Sequence, residues 1–177
     1  MQFDFQQNFF QMFGLPECFK LDGTVLEQNF LTLQSQVHPD KFAHLPESER
    51  RLSLQWATRV NEAYQTLRKP VDRARYLLKL RDVDTQEETN TAMPADFLMQ
   101  QMEWREAIDE ARHAGSLDDL DALEARVQHE AKALLQQLEA SLDQAHDYPA
   151  AAGVVRKLRF FEKLSEEVAS AYDELDH

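Results

Sequence analysis

The sequence predicts an all-α protein of two units: an antiparallel helix pair with short flanking helices, joined to a three-helix bundle. Three observations carry this expectation. The 177 residues include only 4 Gly and 6 Pro, while 43% are hydrophobic, enough for packed cores. Apolar residues recur at three- and four-residue spacing through most of the chain, the period of helices buried on one side. The pattern is interrupted at Gly14-Leu15-Pro16, Pro39, Pro70, Gly115-Ser116 and Asp147-Tyr148-Pro149, where glycine, proline and side-chain caps stop and restart helices.

Charge divides the chain in the same place. Residues 1–80 carry 10 Lys/Arg against 9 Asp/Glu, a net of +1, whereas residues 81–177 carry 9 against 23, a net of −14. The expected organisation is a first unit over 1–80, a linker over 81–92 and a second unit over 93–177, with different partners for the two units. An acidic second half argues against nucleic acid, whose binding requires basic surface. A single cysteine, Cys18, leaves no internal disulfide and suits a reducing compartment. The first residues lack the basic start and apolar run of a signal peptide, and no stretch approaches the roughly 20 apolar residues of a membrane span. A cytoplasmic protein without membrane association is expected.

The elements follow in order. Residues 3–13 (Phe3, Phe5, Phe9, Phe10, Met12 and Phe13) form an aromatic segment that Gly14-Leu15-Pro16 terminates, as a short helix packed on the rest of its unit. Asp22 is a good N-cap for a helix running to Val37, with Leu21 as its staple. Leu26, Phe30, Leu33 and Val37 form its inward stripe, and Glu27, Gln28, Thr32, Gln34 and Gln36 face outward. Pro39 has no amide hydrogen and drives His38 out of the α region, so the helix ends there and Asp40-Lys41 lie in an exposed connection.

Glu47 and Glu49 open the next helix and Arg68-Lys69 close it, as the macrodipole favours. Its apolar face is Leu52, Trp56, Ala57, Val60, Ala63, Tyr64 and Leu67. Pro70 breaks it, and a short helix follows to Leu80. Beyond the polar stretch 81–92, three helices are expected at about 94–114, 116–146 and 148–175. Leu120, Leu123, Val127, Leu134, Leu138 and Leu142 mark the buried stripe of the second, and Leu158, Phe161, Leu164, Val168, Tyr172 and Leu175 that of the third. Short connections make these helices antiparallel neighbours. A coiled-coil dimer fits less well, because the helices are broken at both connections, and a monomer is expected.

The sequence Val37-His38-Pro39-Asp40-Lys41-Phe42 has three readings. As a tripeptide, His-Pro-Asp is a helix stop whose carboxylate caps the next turn. As a catalytic pair, His38 and Asp40, with His44 nearby, would need a nucleophile or a stoichiometric metal, and none accompanies them in sequence. Between two helices, followed by Lys-Phe-Ala and then Asn61-Glu62-Ala63-Tyr64-Gln65-Thr66-Leu67, it resembles the His-Pro-Asp loop of J domains. These are the co-chaperone modules that stimulate DnaK-type ATPases. The helix before the loop departs from the usual J-domain pattern: no Lys or Arg occurs between Lys20 and Lys41, and Val37 replaces the customary aromatic. Docking is therefore expected to lean on His38, Pro39, Asp40 and Lys41, with Arg68, Lys69 and Arg73 as the nearest other cations.

The helix from Pro94 has a face left over after packing. At about 100° per residue, Phe97, Trp104, Ile108 and Ala111 cluster inward. Leu98, Met99 and Met102 point to a second face, which Glu103, Glu106 and Glu110 also line. Methionines suit adaptable protein-binding surfaces, which is the favoured reading over one in which Leu98 and Met102 pack against the first unit. On the last helix, Phe160 falls at the border of the buried stripe.

His-Pro-Asp-Lys-Phe, Asn-Glu-Ala-Tyr-Gln-Thr-Leu, Arg-Ala-Arg-Tyr-Leu-Leu, Phe-Leu-Met-Gln-Gln-Met-Glu-Trp-Arg-Glu and Arg-Lys-Leu-Arg-Phe occur in this order. From about Phe10 to the C-terminus the chain thereby resembles the HscB family, J-type co-chaperones of iron–sulfur cluster assembly. The lack of an N-terminal cysteine-rich zinc module matches the family's bacterial branch. The resemblance implies an adaptor with no catalytic residues, cofactor or metal of its own. Its J domain would stimulate the chaperone HscA, and its bundle would carry the scaffold protein IscU. By motif, the client-binding residues are Leu98, Met99, Met102, Glu103, Glu106, Glu110 and Phe160. A J-domain protein with an unrelated client is the closest alternative.

Overall fold

A computed structural model describes residues 4–88 and 93–176; Phe3 and the end of the expected linker, 89–92, lie outside them. The described residues are helical, without strands, and divide into two compact units, Met1–Leu80 and Arg81–His177.

The first unit consists of α1 (Phe9–Met12), α2 (Gly23–Val37), a 3-10 turn (Pro39–Phe42), α3 (Glu47–Arg68) and α4 (Pro70–Leu80). Asp22 caps α2 by accepting from the amides of Thr24 and Val25. α2 and α3 form the antiparallel pair, with Leu26, Val37, Val60, Ala63 and Leu67 almost fully buried between them. Phe30 contributes its ring, stacked 4.0 Å from that of Tyr64. α1 packs on α3, with Phe10 fully buried and Phe9 stacked on Tyr76 at 4.4 Å. The Tyr76 hydroxyl accepts from the Phe9 amide, a helix-start donor that would otherwise lack a partner, and burial raises the phenol's pKa. At the start of α3 the expected apolar face shifts by one residue: Leu52 is exposed and Ser53 is buried. Ser53 tolerates this because its hydroxyl donates to the Arg50 carbonyl.

The second unit is a three-helix bundle of α5 (Ala95–Ala114), α6 (Leu117–Glu139) and α7 (Tyr148–Leu175), each packed on the other two. Gly115 takes the left-handed conformation (φ 61°) that closes α5, a position at which a β-carbon is strained. Ser116 and Asp147 cap α6 and α7 by accepting from the Asp119 and Ala150 amides. The middle helix does not run to His146 as one α-helix. Its end widens into a π turn over Ala140–Gln144, with the Ala145 amide donating five residues back to Ala140. Part of the expected linker belongs to this unit: Arg156 donates to the Thr85 carbonyl at 3.1 Å, Thr85 is buried, and the Arg81 guanidinium lies 5.8 Å from the Tyr148 ring centroid.

The far end of the bundle is tied by Arg112 to Glu174 (3.2 Å) and by the Tyr172 hydroxyl donating to Asp121. The hydrogen bond to Asp121, assisted by partial burial and by the charges of Asp121 and Glu124, pushes the Tyr172 phenol from 10.0 up to about 12. A folded-state pKa above the unfolded value means that this contribution is complete below pH 10 and is lost as pH rises towards about 12. Denaturant unfolding of wild type and Tyr172→Phe should therefore differ fully up to pH 10, and the difference should shrink between pH 10 and about 12. A constant difference across that range would contradict the assignment.

Candidate functional site

Two exposed surfaces, one on each unit, collect the residues singled out by sequence. The first is the loop after α2. His38 has extended geometry (φ −57°, ψ 130°), as a residue before proline must, and Pro39 starts the 3-10 turn. The His38 Nδ1 accepts from the Asp40 amide at 3.3 Å, which requires the ring proton to be on Nε2. The Asp40 carboxylate stands 3.5 Å from the same ring, and its side chain is 92% exposed. The backbone is thus fixed by proline and a side-chain cap, while the carboxylate remains open to a partner. Lys41 is exposed beside it.

Of the further cations expected at this site, the structure leaves two. Arg68 and Lys69 are exposed, with the Arg68 guanidinium 5.8 Å from the Tyr64 ring centroid. Arg73 is not a surface cation: it is only 8% exposed, donates to the Leu67 carbonyl at 2.7 Å and lies 4.9 Å from the Phe19 ring centroid. The physical reason is the break at Pro70. The last carbonyls of α3 have no continuing helix to donate to them and proline supplies no N–H, so the Arg73 guanidinium fills that role.

The second surface is the outer face of α5. Leu98, Met99 and Met102 are 42%, 64% and 73% exposed, and Glu103, Glu106 and Glu110 are exposed along the same side. The opposite side of α5 is packed: Phe97, Trp104, Ile108 and Ala111 are buried. Trp104 lies edge-on to Phe161 at 5.8 Å, and the Arg126 guanidinium sits 4.4 Å from its ring centroid. Among the described residues no ion pair engages the three glutamates, so their charge faces solvent. The helix is anchored from behind and offers an apolar centre with an acidic margin, the arrangement of a protein-binding surface.

Phe160 does not share that exposure. It is only 7% exposed, with its ring edge-on to Phe97 at 5.5 Å and to Phe161 at 5.3 Å. The expectation of a border residue assumed one buried stripe on α7. Because α7 packs against both α5 and α6, it buries two adjoining stripes, and Phe160 belongs to the one facing α5. Its ring packs beneath α5 and is not part of the exposed surface.

Sequence reasoning passed over one residue. Leu31, on α2, is an apolar side chain that is 54% exposed. At about 100° per residue it lies well away from the Leu26–Phe30–Leu33–Val37 stripe, and that angle was the available signal. With Gln34, Ser35, His38, Asp40 and Lys41 it lines a shallow groove beside the loop. Among the described residues no three His, Cys, Asp or Glu are grouped to hold a metal ion, and no helix is long and apolar enough to cross a membrane.

A family model described as the HSCB C-terminal oligomerisation domain matches residues 93–169. The co-chaperone protein HscB homolog of Aromatoleum aromaticum is 52% identical over 99% of both chains. Among solved structures, the chaperone HscB from Vibrio cholerae is 40% identical with a TM-score of 0.83, over 96% of this chain and 99% of that one. Human co-chaperone protein HscB is 30% identical with a TM-score of 0.88, over 94% of this chain and 82% of that one.

Proposed function

From the premise that this chain belongs to the HscB family of co-chaperones, we propose that it is a two-ended adaptor of iron–sulfur protein maturation. Its J domain stimulates the ATPase of HscA, a DnaK-type chaperone, and its bundle delivers an IscU-type cluster scaffold to that chaperone. It acts in the cytoplasm as a monomer and has no chemistry of its own. The observation that carries the reading is the outward triad Leu98, Met99 and Met102 with its acidic margin, on a helix whose other face is fully used in packing.

The mechanism divides between the units. At the loop, Asp40 accepts a charge-assisted hydrogen bond from an arginine of the ATP-bound chaperone. Pro39 and the His38 cap fix the backbone beforehand, so little ordering entropy is spent on docking. Lys41, Arg68 and Lys69 supply the positive charge that steers an acidic partner surface. On the bundle, the client lays an apolar spot on Leu98, Met99 and Met102, and basic residues around that spot meet Glu103, Glu106 and Glu110. Tethering the client to the molecule that docks on the chaperone raises the client's effective concentration there.

Passage of purified scaffold and ATP-loaded chaperone over the immobilised protein tests the reading. Both should be retained together, each by a different unit. Retention of the chaperone without the scaffold would point instead to a J-domain protein with an unrelated client.

A further inference from the structure

We propose that the groove beside the His-Pro-Asp loop is an apolar docking subsite for the chaperone and that Leu31 is its specificity-determining residue. This rests on the reading of the loop as the chaperone-docking element. Three observations combine. Leu31 exposes 54% of its surface, among the largest exposures of an apolar side chain in the first unit. His38, Asp40 and Lys41 line the same groove as Leu31, so a partner that reaches the Asp40 carboxylate from that groove also covers Leu31. Finally, α2 carries a single charged side chain, Glu27, and no cation.

The occupant follows from continuity and charge. A surface that engages Asp40 through a cation continues over Leu31, Gln34 and Ser35, three side chains without charge. The complementary feature on the chaperone is therefore an apolar side chain, seated against Leu31 and flanked by amide and hydroxyl groups. Gln34 is half-buried and the Ser35 hydroxyl donates to the Thr32 carbonyl at 2.8 Å, so the groove's polar lining is largely held in place. Because burial of apolar surface is not screened by salt, docking here should depend on ionic strength much less than an electrostatic contact does.

The test is chaperone ATPase stimulation as a function of co-chaperone concentration, at low and at physiological salt. Leu31→Asn should raise the half-maximal concentration by about tenfold, as expected for loss of an interface anchor, with unchanged circular dichroism. Leu31→Met should remain near wild type, and so should Val25→Asn, which alters an exposed apolar residue on another side of the same helix. The fold-loss caused by Leu31→Asn should agree within about twofold between the two salt conditions. Wild-type behaviour of Leu31→Asn, or a loss confined to low salt, would overturn the proposal. An Asp40→Asn variant run in parallel separates the two levels. If it too stimulates normally, the docking role of the loop itself is wrong, whereas if it alone fails, only the Leu31 subsite is.

Discussion

Asp40→Asn should abolish stimulation of the chaperone's ATPase while leaving the protein folded. The substitution keeps shape and removes charge. Because the Asp40 side chain is 92% exposed, nothing in the packed interior depends on it. The backbone amide of residue 40, which caps on His38 Nδ1, survives the change. What is lost is the anionic acceptor for a guanidinium, and breaking one member of such a pair typically weakens an interface at least about tenfold. Helical circular dichroism and the unfolding midpoint should match wild type. Normal stimulation by this folded variant would show that the loop does not act as in J domains.

The second large effect separates surface from core on the bundle. Leu98→Ala with Met102→Ala should weaken scaffold binding by about 2 kcal/mol or more, roughly thirtyfold, as expected when the apolar centre of an interface is truncated. The unfolding midpoint should hardly move, because both side chains already face water. Phe160→Ala should behave in the opposite way. Removing a buried ring packed on Phe97 and Phe161 creates a cavity and costs about 3–5 kcal/mol of stability. Its effect on binding should follow from a loosened α5. Scaffold titration paired with thermal unfolding of the two variants distinguishes these outcomes. A Leu98/Met102 variant that unfolds many degrees early would place the patch in the core.

How far the sequence foretold these surfaces depended on what each residue's neighbours were. Helix limits set by local chemistry were legible: Asp22, Pro39, Pro70, Gly115, Ser116 and Asp147 act through their own backbone or cap, which one sequence displays. The outward placement of Leu98, Met99 and Met102 was legible too, because periodicity reports which face of a helix is occupied. Arg73 and Phe160 were not. Arg73 is buried by a carbonyl that the Pro70 break leaves without a donor, and Phe160 by a second helix against α7. Both are tertiary facts with no period. Leu31 lay between these cases: its angle on α2 marks it as off the buried stripe, but the groove beside it is formed by the tertiary turn of the loop. The widened π turn at Ala140–Gln144 left no mark that local propensity detects.

The central claim is that one chain couples a client to a chaperone through two separate surfaces. Its most direct test is chaperone ATPase activity measured against scaffold concentration at a fixed, subsaturating amount of the protein. Wild type should give stimulation that rises with scaffold well beyond the effect of either component alone. The Leu98/Met102 variant should keep its own stimulation and lose the rise, and Asp40→Asn should give neither. A Leu98/Met102 variant whose stimulation still rises with scaffold as in wild type would contradict the account.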